Sequence, residues 1–167
     1  MQPTVYWIET PTTGRLATMA HPQGEPGLET QLNALKTMGV QVLVPLITEH
    51  EASQLRLEQE AEKAAAIGIE PLPFPISDFG IPPLDATTSA FVADLAARVR
   101  DGQSVVVHCW MGIGRSSLIA ASVLCMLGHT PEDAFARISA ARGRDVPDTI
   151  TQRQWVERFA ELWPRLT

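Results

Sequence analysis

Cysteine is scarce in this 167-residue chain. There are two, Cys109 and Cys125, and no metal-ligand spacing pattern surrounds either. A disulfide framework or structural metal is not expected, and a chain of this length needs neither, since it can bury roughly 70% of its unfolded surface. Positive charge is also thin: 13 lysines and arginines face 19 aspartates and glutamates, a net charge of -6 with no basic patch. That balance argues against nucleic acid as a partner. An acidic chain that binds an anion must concentrate positive potential locally. The longest apolar run, near "LIAASVLCMLG", is too short to span a bilayer. The N-terminal "MQPTVYWIETPTTGRL" lacks a charged region followed by a long apolar stretch, so no signal peptide is expected. Reduced thiols then fit a cytoplasmic protein. Internal repeats, low-complexity segments and linkers are missing as well, and the expectation is one domain over residues 1–167, acting as a monomer.

What is present alternates between strand and helix patterns. "VYWIE" and "RLATM" read as short strands joined by the turn-rich "TPTTG". "LETQLNALKTMG" sets Leu28, Leu32, Leu35 and Met38 on one helix face and ends at Gly39. "VQVLVPLI" reads as a buried strand ending near Pro45. "EHEASQLRLEQEAEKAAAIG" predicts one helix closing at Gly68, and "IEPLPFPI" is extended because its prolines exclude helix. "SDFGIPPLD" is a loop; "TTSAFVADLAARVRDG" is a helix that stops at Gly102. "QSVVVH" is a β-branched run suited to a central strand. Three helices follow: "RSSLIAASVLCMLG", "TPEDAFARISAARG", capped by Thr130 with Pro131 at its first position, and "TITQRQWVERFAELW". This order predicts an α/β fold with a central, mostly parallel sheet of about five strands flanked by helices. Trp7, Trp155 and Trp163 are expected in the core.

The stretch "VVVHCWMGIGRSS", Val105 to Ser117, carries the chemistry. A phosphate monoester dianion needs several donors converging on its oxygens, and backbone N–H groups curling into a helix N-terminus supply them. Gly112 and Gly114 permit turns that a Cβ would hinder. Arg115, six residues after Cys109, adds a planar fork matched to two phosphate oxygens. The same field favours a thiolate at Cys109, a nucleophile aimed at phosphorus. The plainer alternative is a strand, turn and helix around a buried thiol. A Cys with Arg six residues later arises by chance about once in eight such chains, but the added His, both glycines and the Ser lower that to about one in a million. The loop is read as functional on that ground.

"HCWMGIGRSS" resembles the His-Cys-x5-Arg-Ser/Thr loop of the cysteine-dependent protein tyrosine phosphatase superfamily, and the compact size resembles its dual-specificity members. The segments "ALKTMGVQVLVPL", "PFPISDFGIPP", "TPEDAFARISAARG" and "DTITQRQWV" resemble the kinase-associated phosphatase branch and its microbial relatives, so the likeness runs from about Arg15 onward. The resemblance implies a phosphatase-like fold and hydrolysis of a phosphorylated protein or peptide through a cysteinyl-phosphate, without cofactor or metal. It implies Cys109 as nucleophile and Arg115 as the phosphate and transition-state ligand. Trp110, Met111, Gly112, Ile113, Gly114 and Arg115 would form the phosphate-binding loop. Ser116 would supply a hydroxyl to the sulfur, the alternative being a plain helix-cap residue. His108 would give structural support to the loop.

The leaving oxygen needs a proton, and Asp78 in "PISDFGIPP" is the best candidate acid, against a turn aspartate bonded to its own backbone. Asp85 is the rival, although it is placed to cap the following helix. Asp148 and Gln152 are candidates for placing the hydrolytic water. Arg142 and Arg144 lie at the pocket rim or simply form the basic end of a helix. No lysine occupies the variable loop positions, which disfavours inositol lipids, and with Tyr6 the only tyrosine there is no tyrosine loop to wall a deep pocket. Cys125 falls roughly 15 Å along the helix from the cradle, too far for a disulfide with Cys109, and is expected as a buried core thiol. The competing functions are a phosphatase for a lipid, nucleotide or sugar phosphate, an inactive phosphate-binding relative, and sulfur transfer or arsenate reduction. For arsenate reduction of the small-phosphatase type, the loop sits too late and further cysteines are missing.

Overall fold

The β-branched run Val105-Val106-Val107 lies in the middle of β5 (Ser104–Cys109), a strand buried at every position. In the computed structural model, which describes residues 2–166, β5 is flanked on both sides by parallel partners. These are β2 (Arg15–Ala20) and β3 (Val42–Pro45), with Val105 opposite Leu16 and Val42. β1 (Tyr6–Ile8) pairs antiparallel on the outer edge of β2, and β4 (Glu70–Pro71) pairs parallel with β3. The order β1-β2-β5-β3-β4 gives the expected α/β architecture, a five-stranded, mostly parallel sheet.

Side chains alternate across a strand, and here the alternation separates two layers. Leu16, Val42, Val44, Val105, Val107 and Cys109 face one core. Its helices are α4 (Ala86–Arg100), α5 (Arg115–Met126), α6 (Pro131–Arg142) and α7 (Ile150–Leu162). Ala17, Met19, Leu43 and Val106 face the other, with α1 (Leu28–Thr37) and α3 (Glu60–Ala66). α5 is buried from Arg115 through Cys125, so it can be apolar on all faces, and it packs against α4, α6 and α7. Trp155 is buried in this layer, Trp163 packs against it, and Trp7 packs against the opposite one.

Local signals placed most boundaries. Thr130 accepts from Asp133 N with Pro131 at the first helical position, and Asp85 caps α4 by accepting from Thr88 N at 2.9 Å. Among the described residues no helix is long and apolar enough to cross a membrane. One element differs from the sequence reading. The expected single helix from Glu49 to Gly68 is two, α2 (Glu49–Leu55) and α3, because Arg56 adopts a left-handed conformation with φ 59°. The break turns Leu57 into the core, 2% exposed, and redirects the chain so that α3 begins against the sheet. Helix propensity in "LRLEQE" gives no sign of it, since burial of one leucine overrides a preference of tenths of a kcal/mol per residue.

Candidate active site

β5 ends at Cys109, α5 begins at Arg115, and the five residues between them turn through a bowl. Gly112 has φ +70°, and a Cβ there would lie 2.6 Å from Ala20 N, so both conformation and space demand glycine. At Gly114 a Cβ would meet the Asp148 carboxylate at 2.3 Å. Three consecutive loop carbonyls are held from outside. Trp110 O accepts from His21 N at 3.2 Å, while Arg142 donates to Met111 O at 3.3 Å and Gly112 O at 3.1 Å. In a planar trans peptide the N–H points opposite its carbonyl. The amides of Met111, Gly112 and Ile113 therefore face away from these donors, into the bowl. Arg142 is thus more than a solvated helix end: its guanidinium lies 4.3 Å over the Tyr6 ring and braces the loop. Arg144 is exposed.

Cys109 is 3% exposed, with Sγ 3.4 Å from Ser116 Oγ in the first turn of α5. Arg115 is buried beside them. Its Nη1 donates to Glu51 Oε2 and to Ile76 O, both at 2.8 Å. Its Nη2 donates to Glu51 Oε1 at 2.7 Å and to Asp78 Oδ1 at 3.0 Å. Burial alone would lower the guanidinium's proton affinity; the Glu51 hydrogen bonds and the negative charges of Cys109, Glu51 and Asp78 more than reverse that. Burial likewise pushes the Glu51 carboxyl up, and its bonds from Arg115 and Thr48 N pull it below the ordinary value. Glu51 is also the far half of the α2 capping box, accepting from Thr48 N at 2.8 Å.

Asp78 reaches the site from the loop before α4. Its Oδ1 also accepts from Phe79 N at 3.0 Å, so it bonds its own turn, with Phe79 at φ 56°, and the guanidinium together. Its side chain stays 52% exposed, whereas Asp85 is committed to its cap. Cys109, Arg115, Asp78, Asp148 and Glu51 line one cavity of about 370 Å³, with exposed Phe79 and Met111 at its edge. Asp148 sits above its ordinary value because of burial first and the Asp78 charge second, against the opposing pull of Arg144 and Arg115. Gln152 does not reach the cavity. It is buried, its Oε1 accepting from Thr149 N and its Nε2 donating to Gly80 O at 3.2 Å, so it tethers the Asp78 loop.

His108 is wholly buried on the opposite face of β5, with Nε2 2.6 Å from Glu60 Oε1 and Nδ1 3.3 Å from Cys109 O. Cys125 is a free buried thiol, pushed up to about 12 by burial. Two site residues escaped the sequence reading. Glu51 carries a legible signal, the capping box Thr48-x-x-Glu51, though nothing local says that its carboxylate also grips Arg115. Glu60 carries none, because its partner is 48 residues away.

Residues 17–129 match the family described as "Tc-R-P: Polymorphic toxin system, DSP-PTPase phosphatase". Cyclin-dependent kinase inhibitor 3 of Homo sapiens is 30% identical over 129 residues, which are 76% of this chain and 60% of that protein's length. The match therefore spans about three-fifths of that relative. The crystal structure of kinase-associated phosphatase with serine in place of its catalytic-site cysteine superposes with a TM-score of 0.89, at 23% identity, over 99% of this chain and 98% of that one. Tk-PTP in its active form superposes with a TM-score of 0.75, at 25% identity, over 96% and 99%. A family match over more than half of the sequence, on this fold and around this cysteine-arginine cradle, places the chain in the DSP-PTPase family of phosphatases.

Proposed function

We propose that the chain is an active phosphomonoester hydrolase that works through a cysteinyl-phosphate and acts on phosphorylated proteins or peptides. The observation that carries this reading is the convergence of Cys109, Arg115 and Asp78 on one cavity, with Ser116 against the sulfur. A phosphate dianion entering the bowl meets the loop amides and the Arg115 fork, and it replaces Asp78 at Nη2. Asp78, released from Nη2 beside the dianion, takes up a proton from solvent; the Cys109 thiolate attacks phosphorus in line, the P–O ester bond breaks, and the Asp78 carboxyl gives that proton to the leaving oxygen. Water then attacks the phosphorus of the S–P bond. Asp78, now a carboxylate, takes the water proton, and the sulfur leaves as thiolate with the Ser116 hydroxyl donating to it. Arg115 and the amides hold the charge spread over the equatorial oxygens in both steps.

The rim favours a protein substrate. Among the described residues Arg115 is the one cation whose side chain lines the cavity, and exposed Phe79 and Met111 offer apolar contact. One phosphate on an apolar or aromatic side chain fits such a rim better than a multiply phosphorylated headgroup. A buried nucleophilic thiol must stay reduced, which fits residence in the cytoplasm.

The test is hydrolysis of p-nitrophenyl phosphate from pH 4.5 to 8 in EDTA by wild type, Cys109→Ser and Asp78→Asn, followed by phosphopeptide and phosphoinositide panels. Wild type is expected to be active, Cys109→Ser dead, and Asp78→Asn weakened with altered pH dependence. A wild type that binds vanadate but turns over no ester would make the loop a recognition site instead. Turnover confined to the phosphoinositides would overturn the protein-substrate reading.

A further inference from the structure

Asp78 faces a positioning problem that its own contacts do not solve. Its partner at the guanidinium, Arg115 Nη2 at 3.0 Å, is the donor that a phosphate dianion takes over. The released carboxyl keeps one protein partner, Phe79 N, in a side chain 52% exposed. Its place beside a bound phosphate must then come from the loop that carries it. That loop is a tight turn: Gly80 N donates to Ser77 O at 2.8 Å, and Phe79 sits in the left-handed region at φ 56°. Such a conformation is strained for phenylalanine and persists only where the surroundings impose it. Carbonyls on both sides of Asp78 are gripped from outside. Upstream, Ile76 O accepts from Arg115 Nη1 at 2.8 Å, and Ile76 N donates to Leu46 O at 2.9 Å. Downstream, Gly80 O accepts from Gln152 Nε2 at 3.2 Å. Gln152 is wholly buried, and its Oε1 accepts from Thr149 N in the α7 capping box. An amide turned end for end would set N–H against N–H and oxygen against oxygen, so the cap fixes which way the donor points.

We propose that Gln152 is a positioning residue for proton transfer from Asp78 to the leaving oxygen. The inference rests on the acid role proposed above for Asp78. It replaces a water-placing role for Gln152, whose side chain is not among those lining the cavity. Asp78 lies midway between the two held carbonyls. With both gripped, the turn keeps its shape when the dianion displaces the carboxylate, and the acid moves only about its own side-chain torsions. Without the bond to Gly80 O the downstream anchor is gone, Phe79 is free to relax to negative φ, and the backbone of Asp78 moves with it. The same amide also packs against the phosphate loop, since a Cβ on Gly114 would lie 2.9 Å from Gln152 Oε1. One buried amide thus touches both the loop that holds phosphate and the loop that carries the acid. Proton transfer works only within hydrogen-bond reach, so a shift of about 1 Å between these loops is enough to slow it.

Variants of the intact chain test this. Gln152→Met loses the donor and keeps the volume, and Gln152→Asn withdraws the amide by one methylene, a second route should the methionine variant misfold. Thr149→Ala weakens the cap and leaves the tether. The first readout is hydrogen exchange of backbone 77–81 with vanadate bound, followed by mass spectrometry, which needs no turnover. Both Gln152 variants should exchange there about five- to tenfold faster than wild type, the size expected for one buried hydrogen bond. Thr149→Ala should match wild type. The second readout is kcat/KM at pH 6 for phenyl phosphate, whose leaving group needs the proton, and p-nitrophenyl phosphate, whose leaving group needs it less. Both Gln152 variants should lose about tenfold on the phenyl ester and about twofold on the nitrophenyl ester, part of the full worth of a general acid. In an Asp78→Asn background Gln152→Met should cost nothing further on either ester. Equal losses on the two esters, wild-type exchange, or a loss that survives in Asp78→Asn would overturn the assignment. So would the signature of water placement, a fall in kcat with a burst of phenol and unchanged kcat/KM. Failure of the acid role itself looks different: Asp78→Asn would then lower both esters alike, and Gln152 would have no acid to place.

Discussion

Arg115 and Glu51 meet end-on, two nitrogens against two oxygens at 2.8 and 2.7 Å, across 64 residues of sequence. The contact fixes the plane of the guanidinium before any phosphate arrives. Removing one partner leaves the other buried and charged, which costs about 3–5 kcal/mol. Glu51→Ala should therefore lower unfolding stability by that order in urea titration and weaken vanadate binding.

The pH dependence of the same contact has a definite sign. Glu51 titrates below its ordinary 4.5 in the folded chain. Its stabilising contribution is fully present above that value and is lost as pH falls through the lower, folded one. Glu51→Gln lacks the carboxylate at every pH, so its stability should fall less steeply than wild type's in the acid range below 4.5. Parallel acid profiles from thermal unfolding would contradict this.

Asp148 has the opposite sign. Burial and the charge of Asp78 raise it above 3.8, so its ionised form is disfavoured in the folded chain at neutral pH. Asp148→Asn should raise Tm at pH 7, and the gain should shrink as pH falls through the raised value, where the wild-type carboxyl becomes neutral too.

Gly112→Ala should be among the most damaging small substitutions. The new methyl would meet Ala20 N at 2.6 Å and Met19 O at 2.8 Å, in a conformation with φ +70°. Strain of this kind costs about 1–3 kcal/mol before the clash is counted. The expected readout is a lower Tm together with loss of vanadate affinity.

The two thiols should separate chemically. Cys125 lies deep in α5 and is pushed up to about 12 by burial, so in the folded chain iodoacetamide at pH 8 should label Cys109 and leave Cys125 unmodified until denaturant is added. Equal labelling of the two in native buffer would contradict that.

The sequence made the cradle legible because its parts are contiguous. A β-branched strand, two glycines and a helix start fall within thirteen residues, and a local rule can read each one. Asp85 was legible as a cap for the same reason, and so was the place of Asp78 in an irregular loop before α4. Glu51 was half legible: its capping box can be read, its grip on Arg115 cannot. The left-handed turn at Arg56, the Glu60–His108 contact and the Gln152 tether on Gly80 depend on residues brought together only by the fold. Arg142 stayed open between the pocket rim and a plain helix end, because a basic residue at a helix end has an ordinary electrostatic explanation. Its actual partners are carbonyls 30 and 31 residues away.

His108 and Cys109 are neighbours on one strand, yet they belong to different layers of the molecule. The sulfur that lines the cavity and the imidazole that meets α3 thereby occupy alternate positions of β5. A shift of that strand by a single residue would exchange them, turning the sulfur toward α3 and the imidazole toward the cavity. The parallel pairings of β5 with β2 and β3 are thus what decides which of two adjacent side chains faces the cavity.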